Sequence, residues 1–130
     1  MKYVIIIGCG RTGKELALEL SKAENVVVAD KSLKNLDSLG DDFNGKKIWL
    51  DALDINNLEE TGVKEADIVF LLTGNDNLNL VVGKVIKRKY GVKKVVLQVT
   101  DSMKKKIFKE EGLLIINRTY LITEALRKCI

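Results

Sequence analysis

The chain has 130 residues, of which 46% are hydrophobic and 31% charged, a composition typical of one globular domain rather than a disordered segment. It contains no histidine and no run of about 18 apolar residues, which disfavours histidine-based catalysis, histidine metal sites and membrane-spanning segments. The net charge is +4, and the two cysteines, Cys9 and Cys129, lie too far apart in sequence for a zinc motif. We therefore expect a cytoplasmic protein with a single domain, residues 1–130.

Positive charge is concentrated in the second half of the chain. Residues 1–65 contain 9 Lys and Arg against 12 Asp and Glu, whereas residues 66–130 contain 13 against 6. Such an asymmetry can indicate a surface that binds nucleic acid or acidic membranes. The basic clusters at residues 84–94 and 104–106 lack the aromatic ladder that single-stranded nucleic acid requires. We therefore expect solvated helix faces and loops, and no binding of nucleic acid.

Six short runs rich in β-branched residues are predicted strands. Their bounds are Tyr3–Ile7, Val26–Asp30, Lys47–Leu50, Asp67–Leu72, Lys94–Val99 and Leu113–Asn117. Several of these runs are apolar at nearly every position, which is typical of strands that are covered on both faces. Amphipathic segments with helical spacing lie between the strands, for example from Gly13 to Leu20 and from Leu78 to Ile86.

The alternation of strands and helices predicts the fold. Ser32 and Ser102 are predicted N-caps, and Gly91 is predicted to end the helix that follows Asn75. Short connections between alternating strands and helices favour a parallel sheet with right-handed crossovers. We expect a doubly wound, Rossmann-like α/β fold with six parallel strands in the order 3-2-1-4-5-6 and helices on both faces.

The segment Gly8-Cys9-Gly10-Arg11-Thr12-Gly13 follows the first predicted strand and opens the first predicted helix. This is the context in which a G-x-G-x-x-G pattern binds a dinucleotide. The first glycine permits the tight turn, the second lets the backbone approach a pyrophosphate, and the third lets helix and strand pack closely. The N–H groups and the positive dipole end of the helix would then bind the phosphates.

Asp30 ends the second predicted strand, about 20 residues after the glycines, where a carboxylate can accept hydrogen bonds from ribose hydroxyls. The same carboxylate would repel a 2′-phosphate, which favours NAD(H) or an adenine nucleotide over NADP(H). Lys31 and Lys34 would weaken this exclusion slightly, or they could be solvated helix residues. The alternative for the whole pattern is a glycine-rich turn and a solvated aspartate, which the order and spacing of the residues disfavour.

Further motifs follow in order along the chain: Val26-Val27-Val28-Ala29-Asp30, Leu50-Asp51-Ala52, Ala66-Asp67, Leu71-Leu72-Thr73, Asp76 and Asn79-Leu80. With the glycine motif, this series resembles the nucleotide-binding domain of the RCK/KTN family, the Trk-type regulators of potassium transporters and channels. The resemblance covers essentially the whole chain. It implies a regulatory cytoplasmic subunit that binds NAD or NADH, or alternatively ATP or ADP. Such a subunit would control a membrane-embedded potassium transporter or channel by conformational switching, and the family's smaller C-terminal ligand-binding domain would be absent.

The resemblance also implies which residues contact the nucleotide. Arg11 matches an arginine that reaches the phosphates, sometimes across a dimer, and Asp30 matches the ribose-binding acid. The other matches are Asp51 and Ala52 on the adenine side, Thr73 and Gly74 near the phosphates or the nicotinamide half, and Asp76 and Asn79 at the start of the next helix. Two positions depart from the family's pattern, since Leu50 stands where glycine is frequent and Gln98 where arginine is frequent.

Each of these positions also has a purely structural interpretation. Asp51 could cap or flank the segment that begins near Ile55, and Asp76 could cap the helix that it begins. Thr73 could satisfy local backbone groups at a strand end. Asn79 could be an ordinary helix-surface residue. Arg11 could be a solvated residue of the first helical turn, although a cation there is unfavourable for the helix dipole and so argues for a nearby anion.

The alternative function is a small NAD-dependent oxidoreductase, or the cofactor module of a separate catalytic subunit. Tyr90 and Lys94 have the Tyr-x-x-x-Lys spacing of one dehydrogenase class, but Gly91 is predicted to break the helix between them. Cys9 lies in the phosphate turn, where a helix N-terminus could lower the pKa of its thiol. Neither possibility is favoured, and we expect binding without catalysis.

The last predicted helix carries a broad apolar stripe, formed by Leu121, Ile122, Ala125, Leu126, Cys129 and Ile130. Part of the stripe could cover the sheet, but exposed apolar patches often mark interfaces. The family resemblance likewise implies domains that pair and assemble into rings beneath a membrane pore. We expect a homodimer or larger ring that reaches the membrane through its partner, without direct membrane insertion.

Overall fold

A mostly parallel sheet flanked by helices forms the domain. The structure is a computed structural model that describes residues 1–100 and 112–130 and, for the backbone alone, residues 108–110. The strands are β1 (Tyr3–Ile7), β2 (Asn25–Asp30), β3 (Lys46–Trp49), β4 (Ile68–Leu71), β5 (Lys94–Val99), β6 (Phe108–Glu110) and β7 (Leu113–Asn117). The α-helices are α1 (Arg11–Leu20), α2 (Leu33–Asp37), α3 (Asp76–Val85) and α4 (Arg118–Arg127), and two short 3-10 helices, Ile55–Thr61 and Val63–Glu65, precede β4. In this described part of the chain, no helix is both long and apolar enough to cross a bilayer.

The strand order confirms the predicted topology. The sheet runs β3-β2-β1-β4-β5-β7-β6, with β1 between β2 and β4. All pairings among β1 to β5 and β7 are parallel. Because β7 is the sixth predicted strand, the predicted order 3-2-1-4-5-6 is correct. The sequence pattern does not predict β6, which pairs antiparallel with β7 at the edge of the sheet.

The central strands are buried on both faces, as their continuous apolar runs predict. Ile5 and Ile7 belong to one core cluster, whereas Val4 and Ile6 belong to a second cluster on the opposite face. The first cluster includes residues from α3 and both 3-10 helices, and the second includes residues from α1 and α2. Each fully buried aliphatic side chain contributes about 1.5–3 kcal/mol. The doubly wound fold therefore has helical segments and core on both sides of one sheet.

Two predicted helix boundaries are confirmed. Ser32 precedes α2, and its hydroxyl accepts a hydrogen bond from the Asn35 N–H at 3.1 Å. Helix α3 continues through a π-helical turn, Ile86–Tyr90, and stops at Gly91, whose φ of 63° is the left-handed conformation that glycine adopts readily. The predicted N-cap Ser102 and the lysines at 104–106 lie outside the described residues.

Candidate functional site

A cavity of about 360 Å³ lies at the carboxyl ends of β1 to β4. The strand order reverses about β1, and doubly wound sheets bind ligands at this point. Ligand pockets commonly measure about 300–1,000 Å³, so this cavity is at the small end of the range. Nine predicted site residues line it: Gly8, Cys9, Gly10, Asp30, Lys31, Asp51, Ala52, Thr73 and Gly74. The structure therefore brings most of the predicted nucleotide contacts into one space.

The three glycines of the turn have different surroundings. Gly8 has a φ of 109°, and a Cβ there would lie 2.6 Å from the Leu72 carbonyl carbon. A Cβ on Gly13 would lie 1.9 Å from the Gly8 carbonyl oxygen, so this glycine permits the close packing of α1 on β1. A Cβ on Gly10 would meet no protein atom within 4 Å. Gly8 and Gly13 are thus required by the fold, whereas Gly10 borders open space in the cavity.

The N-terminus of α1 begins at the cavity wall. Gly10 is its N-cap, its first turn holds no acidic residue, and no side chain of the described residues caps it. The other three α-helices have side-chain caps: Ser32, Asn75 and Asn117. The first-turn N–H groups of α1 and its helix dipole are therefore available to an anion. Arg11 and Thr12 are exposed at this end of the helix, outside the cavity lining.

The Asp30 carboxylate joins the glycine turn to the start of α2. It accepts the backbone N–H groups of Cys9 and Ser32, each at 2.7 Å, and the Asn35 amide at 3.4 Å. A carboxylate offers about four lone-pair positions, so these three bonds leave capacity for a further donor. The group lines the cavity, where a ribose hydroxyl could provide that donor.

Cys9 is buried beneath the same turn. Its thiol donates a hydrogen bond to the Asn35 carbonyl oxygen at 3.3 Å. Burial and, to a lesser extent, the nearby Asp30 carboxylate raise the pKa of the Cys9 thiol. A raised pKa keeps the sulfur protonated, and only the thiolate is a strong nucleophile. The surroundings of Cys9 therefore disfavour a catalytic role.

The segment that follows β3 forms another part of the cavity wall, through Leu50, Asp51 and Ala52. The Leu50 N–H donates to the Asp30 carbonyl oxygen at 3.1 Å, which continues the pairing of β3 with β2 past its last residue. The Asp51 carboxylate accepts the Leu53 N–H at 3.0 Å, so this side chain also stabilises its own turn. Trp49 Nε1 donates to the Lys31 carbonyl oxygen at 2.8 Å. These bonds fix the segments that carry Lys31, Asp51 and Ala52.

Asn79 lies behind the cavity wall. It is fully buried, so its interpretation as a helix-surface residue is wrong. The Thr73 hydroxyl donates to Asn79 Oδ1, and Asn79 Nδ2 donates to the carbonyl oxygens of Thr73 at 3.1 Å and Gln98 at 2.9 Å. Asn79 does not line the cavity but holds the turn after β4 against β5.

Asp76 contacts the residue that follows β5 and does not line the cavity. Both carboxylate oxygens lie 3.0 Å from the Thr100 backbone nitrogen and 3.2 Å from its hydroxyl. The N-cap of α3 is Asn75, whose side chain accepts the Leu78 N–H, so Asp76 is the first residue of the helix. Asp76 therefore binds the start of α3 to the residue that follows β5.

Other cavity residues are not identified by the sequence pattern. They include Ser32 and Asn35 at the start of α2, and Asn75 and Leu78 at the start of α3. Ser32 is recognisable as a helix cap, but nothing in its spacing indicates a cavity. Within the described residues, no cluster of three or more His, Cys, Asp and Glu side chains could hold a metal ion.

The Tyr90 and Lys94 pair does not form a site on one helix. Gly91 interrupts the helix in the left-handed conformation, and Lys94 begins β5 at the end away from the cavity. The Tyr90 hydroxyl lies 3.5 Å from Glu59 Oε2 and can donate to it. The predicted break between the two residues is confirmed, and their spacing does not reproduce the dehydrogenase arrangement.

Comparisons with known proteins agree with this geometry. A family model described as the TrkA-N domain matches residues 4–118. The Trk system potassium uptake protein TrkA of Streptomyces coelicolor is 28% identical over 112 residues, which cover 85% of this chain and 50% of the relative. A TrkA homolog of Pyrococcus abyssi is 33% identical over 109 residues, covering 83% and 48%. The chain thus spans about half the length of these curated relatives.

Solved structures show the same fold. The crystal structure of the TrkA-N domain of inner membrane protein ybaL from Escherichia coli has a TM-score of 0.83 at 12% identity, covering 99% of this chain and 96% of that one. A structure described as the NAD(P)-binding domain of an exopolyphosphatase-related protein from Archaeoglobus fulgidus has a TM-score of 0.76 at 22% identity, covering 99% and 97%.

Proposed function

Because the chain belongs to the TrkA-N domain family, we propose that it is a regulatory domain of a potassium transport system and that an adenine nucleotide controls it. The observation that carries the proposal is the cavity at the strand-order reversal, with Gly10 and Asp30 on its walls. The proposed ligand is NAD or NADH, with ATP or ADP as the alternative. The relatives named as potassium uptake proteins support the link to potassium.

The proposed contacts follow the geometry of the cavity. Phosphates would bind at Gly10 and the uncapped N-terminus of α1, close to Arg11 and Thr12. The ribose would donate to Asp30, and the adenine would lie along the segment that carries Asp51 and Ala52. Other lining residues would complete this site: Gly8, Cys9, Lys31, Thr73 and Gly74. Gly13, Asp76 and Asn79 would act indirectly, by shaping the turns that border it.

We propose that the domain acts by binding rather than by catalysis. A fold of this kind does not decide the function, and an oxidoreductase would need an acid or base beside the cofactor. The chain has no histidine, and the Cys9 thiol has a raised pKa. The nucleotide would instead favour one of two conformations, and the energy it transmits would be limited to its difference in affinity, typically about 1–3 kcal/mol.

The proposed partners are a membrane-embedded potassium transporter or channel subunit on the cytoplasmic side and further copies of this chain. None of the residues of α4 is buried, and its apolar side chains Leu121, Ile122 and Leu126 are exposed. Exposed apolar surface of this kind is typical of an interface. We propose that α4 lies at or near the contact between subunits of a homodimer or larger ring, with Arg11 near the neighbouring subunit.

Asp30→Ala tests the nucleotide assignment. We expect nucleotide affinity to fall by about 1.5–3 kcal/mol, the value of a hydrogen bond to a charged group. Calorimetric titration with NAD, NADH, ADP and ATP would measure the change. Asp37→Ala removes the same charge from an exposed position at the end of α2 and should not alter affinity. Equal affinities for the natural and Asp30→Ala proteins would refute the ribose assignment, and turnover of NADH would refute the non-catalytic role.

Leu126→Glu combined with Ile130→Glu tests the assembly. The two side chains are 66% and 108% exposed in the isolated chain, so charged replacements should not disturb the folded domain. In an assembly they would bury charge in an apolar contact, and we expect the mass in solution to shift toward monomer. Light scattering measures that mass. If the natural protein is monomeric at high concentration with and without nucleotide, the proposed assembly is wrong.

A further inference from the structure

Strand β3 forms one edge of the sheet. It pairs with β2 on one side, and the strand order places no described strand on its other side. In a parallel pair, alternate residues direct their backbone groups toward the neighbouring strand. The Leu50 N–H donates to the Asp30 carbonyl oxygen, so Ile48, two residues earlier, also faces β2. The backbone groups of Lys47 and Trp49 therefore point away from the sheet.

The side chains of this edge are basic and aromatic. Lys46, Lys47 and Trp49 are exposed, and the exposed fraction of Trp49 is 64%. Neither lysine forms an ion pair with a residue that the structure describes. The Trp49 indole is held in place because its Nε1 donates to the Lys31 carbonyl oxygen at 2.8 Å. The edge thus combines outward-pointing backbone groups with two cations and a fixed aromatic ring.

The composition of the edge indicates what could pair with it. Lysine on a short edge strand protects a sheet against pairing with further copies of itself. An exposed tryptophan adds nothing to this protection, and tryptophan is among the residues that contribute most at binding interfaces. Lysines that repel a second basic edge would attract an acidic segment instead. The edge therefore favours a partner of opposite charge over a second copy of this chain.

From these observations, we propose that β3 binds an extended acidic peptide segment of a partner protein, which adds a strand to the sheet. Main-chain hydrogen bonds to Lys47 and Trp49 would hold the segment. A carboxylate beside Lys47 would set the charge preference, and an apolar side chain would pack against the Trp49 indole. Both side chains lie on the face that α2 covers, since Lys47 pairs with Val28 of the core cluster on that face. This proposal does not depend on a bound nucleotide.

A synthetic peptide, Thr-Val-Glu-Val-Phe-Val-Thr, tests the proposal. Its glutamate and phenylalanine share one face when the peptide is extended, as Lys47 and Trp49 do on β3. Fluorescence anisotropy of the labelled peptide with the full chain should show saturable binding. We expect at least about fivefold weaker binding when lysine replaces the glutamate. Trp49 is the only tryptophan of the chain, so its emission should change when the unlabelled peptide binds.

Amide hydrogen exchange of the natural protein locates the bound peptide. At saturation, the amides of Lys47 and Trp49 should exchange at least about tenfold more slowly, and the amide of Ile48, which faces β2, should change less. Binding without this protection would overturn the inference. Absence of binding would also overturn it, and the lysines would then serve only to protect the edge.

Lys47→Pro and Lys47→Ala separate the backbone contact from the charge. Both variants remove the ammonium group, but only proline removes the outward N–H, and edge strands tolerate proline where that N–H faces solvent. We expect the proline variant to bind at least about fivefold more weakly than the alanine variant, and equal affinities would exclude main-chain pairing.

Lys94→Ala is the matched control for the charge. Lys94 is an exposed lysine at the start of β5, a strand that is paired on both sides. Its replacement should leave the affinity for the peptide unchanged, whereas Lys47→Ala should lower the affinity several-fold. Equal losses in the two alanine variants would mean that the peptide responds only to the net charge of the protein. Thermal unfolding would verify that each variant is folded.

Discussion

Gly10→Val is expected to abolish nucleotide binding while leaving the sheet folded. A Cβ at this position meets no protein atom within 4 Å, so the new side chain would extend into the cavity without displacing the fold. It would occupy the space in which the backbone approaches a phosphate. We expect an affinity loss of at least about 100-fold, close to 3 kcal/mol, by calorimetric titration.

The stability of the Gly10→Val protein separates this effect from misfolding. Gly10 has a φ of −81°, which valine can adopt, and it serves only as the N-cap of α1. Valine is a poorer N-cap than glycine, and we expect the free energy of unfolding in urea to fall by no more than about 1 kcal/mol. Normal binding by a folded Gly10→Val protein would place the phosphates elsewhere.

Gly10→Val is expected to leave the fold intact, whereas Gly13→Ala should destabilise it. In an exposed helix, alanine is favoured over glycine by about 1 kcal/mol. At position 13, however, the added Cβ would lie 1.9 Å from the Gly8 carbonyl oxygen and 3.0 Å from its carbonyl carbon. Both are backbone atoms of the turn, so α1 would have to move away from β1. We expect a loss of about 3 kcal/mol or more in the free energy of unfolding.

Gly10→Ala is the matched control for this measurement. It adds the same methyl group three residues earlier, where no protein atom lies within 4 Å. Urea unfolding should therefore show a large decrease in midpoint for Gly13→Ala and little change for Gly10→Ala. Equal midpoints would mean that α1 and β1 can separate at little cost, contrary to the packing described here.

The strands could be predicted because strands that are buried on both faces have continuous apolar runs in the sequence. The run from Tyr3 to Ile7 is apolar throughout, and both faces of β1 are indeed covered. The start of α2 could be predicted because Ser32 caps it, and the end of the helical turn that continues α3 could be predicted because Gly91 terminates it. Strand β6 could not be predicted in this way, since its three residues, Phe108–Glu110, depend on pairing with β7.

From local sequence alone, the candidate site could be predicted where a turn creates it. The glycine turn and Asp30 follow directly from the order of strand, turn and helix. The burial of Asn79 does not, because its partners include the backbone carbonyl oxygen of Gln98, which only the pairing of β4 with β5 brings near. Asn35 lines the cavity for a similar reason, since the position of α2 relative to β1 is set by tertiary packing.

The cavity is lined by residues from the carboxyl ends of four strands, β1 to β4, and this arrangement affects how fast the protein is degraded. These strands pair residues far apart in sequence, such as Ile7 with both Ala29 and Leu71, so the cavity exists only when the centre of the sheet has formed. A nucleotide at 100 times its dissociation constant would add about 2.7 kcal/mol to the stability of that folded state. If the proposed nucleotide binds, proteolysis through global unfolding would slow accordingly, and the abundance of the domain would follow the concentration of that nucleotide.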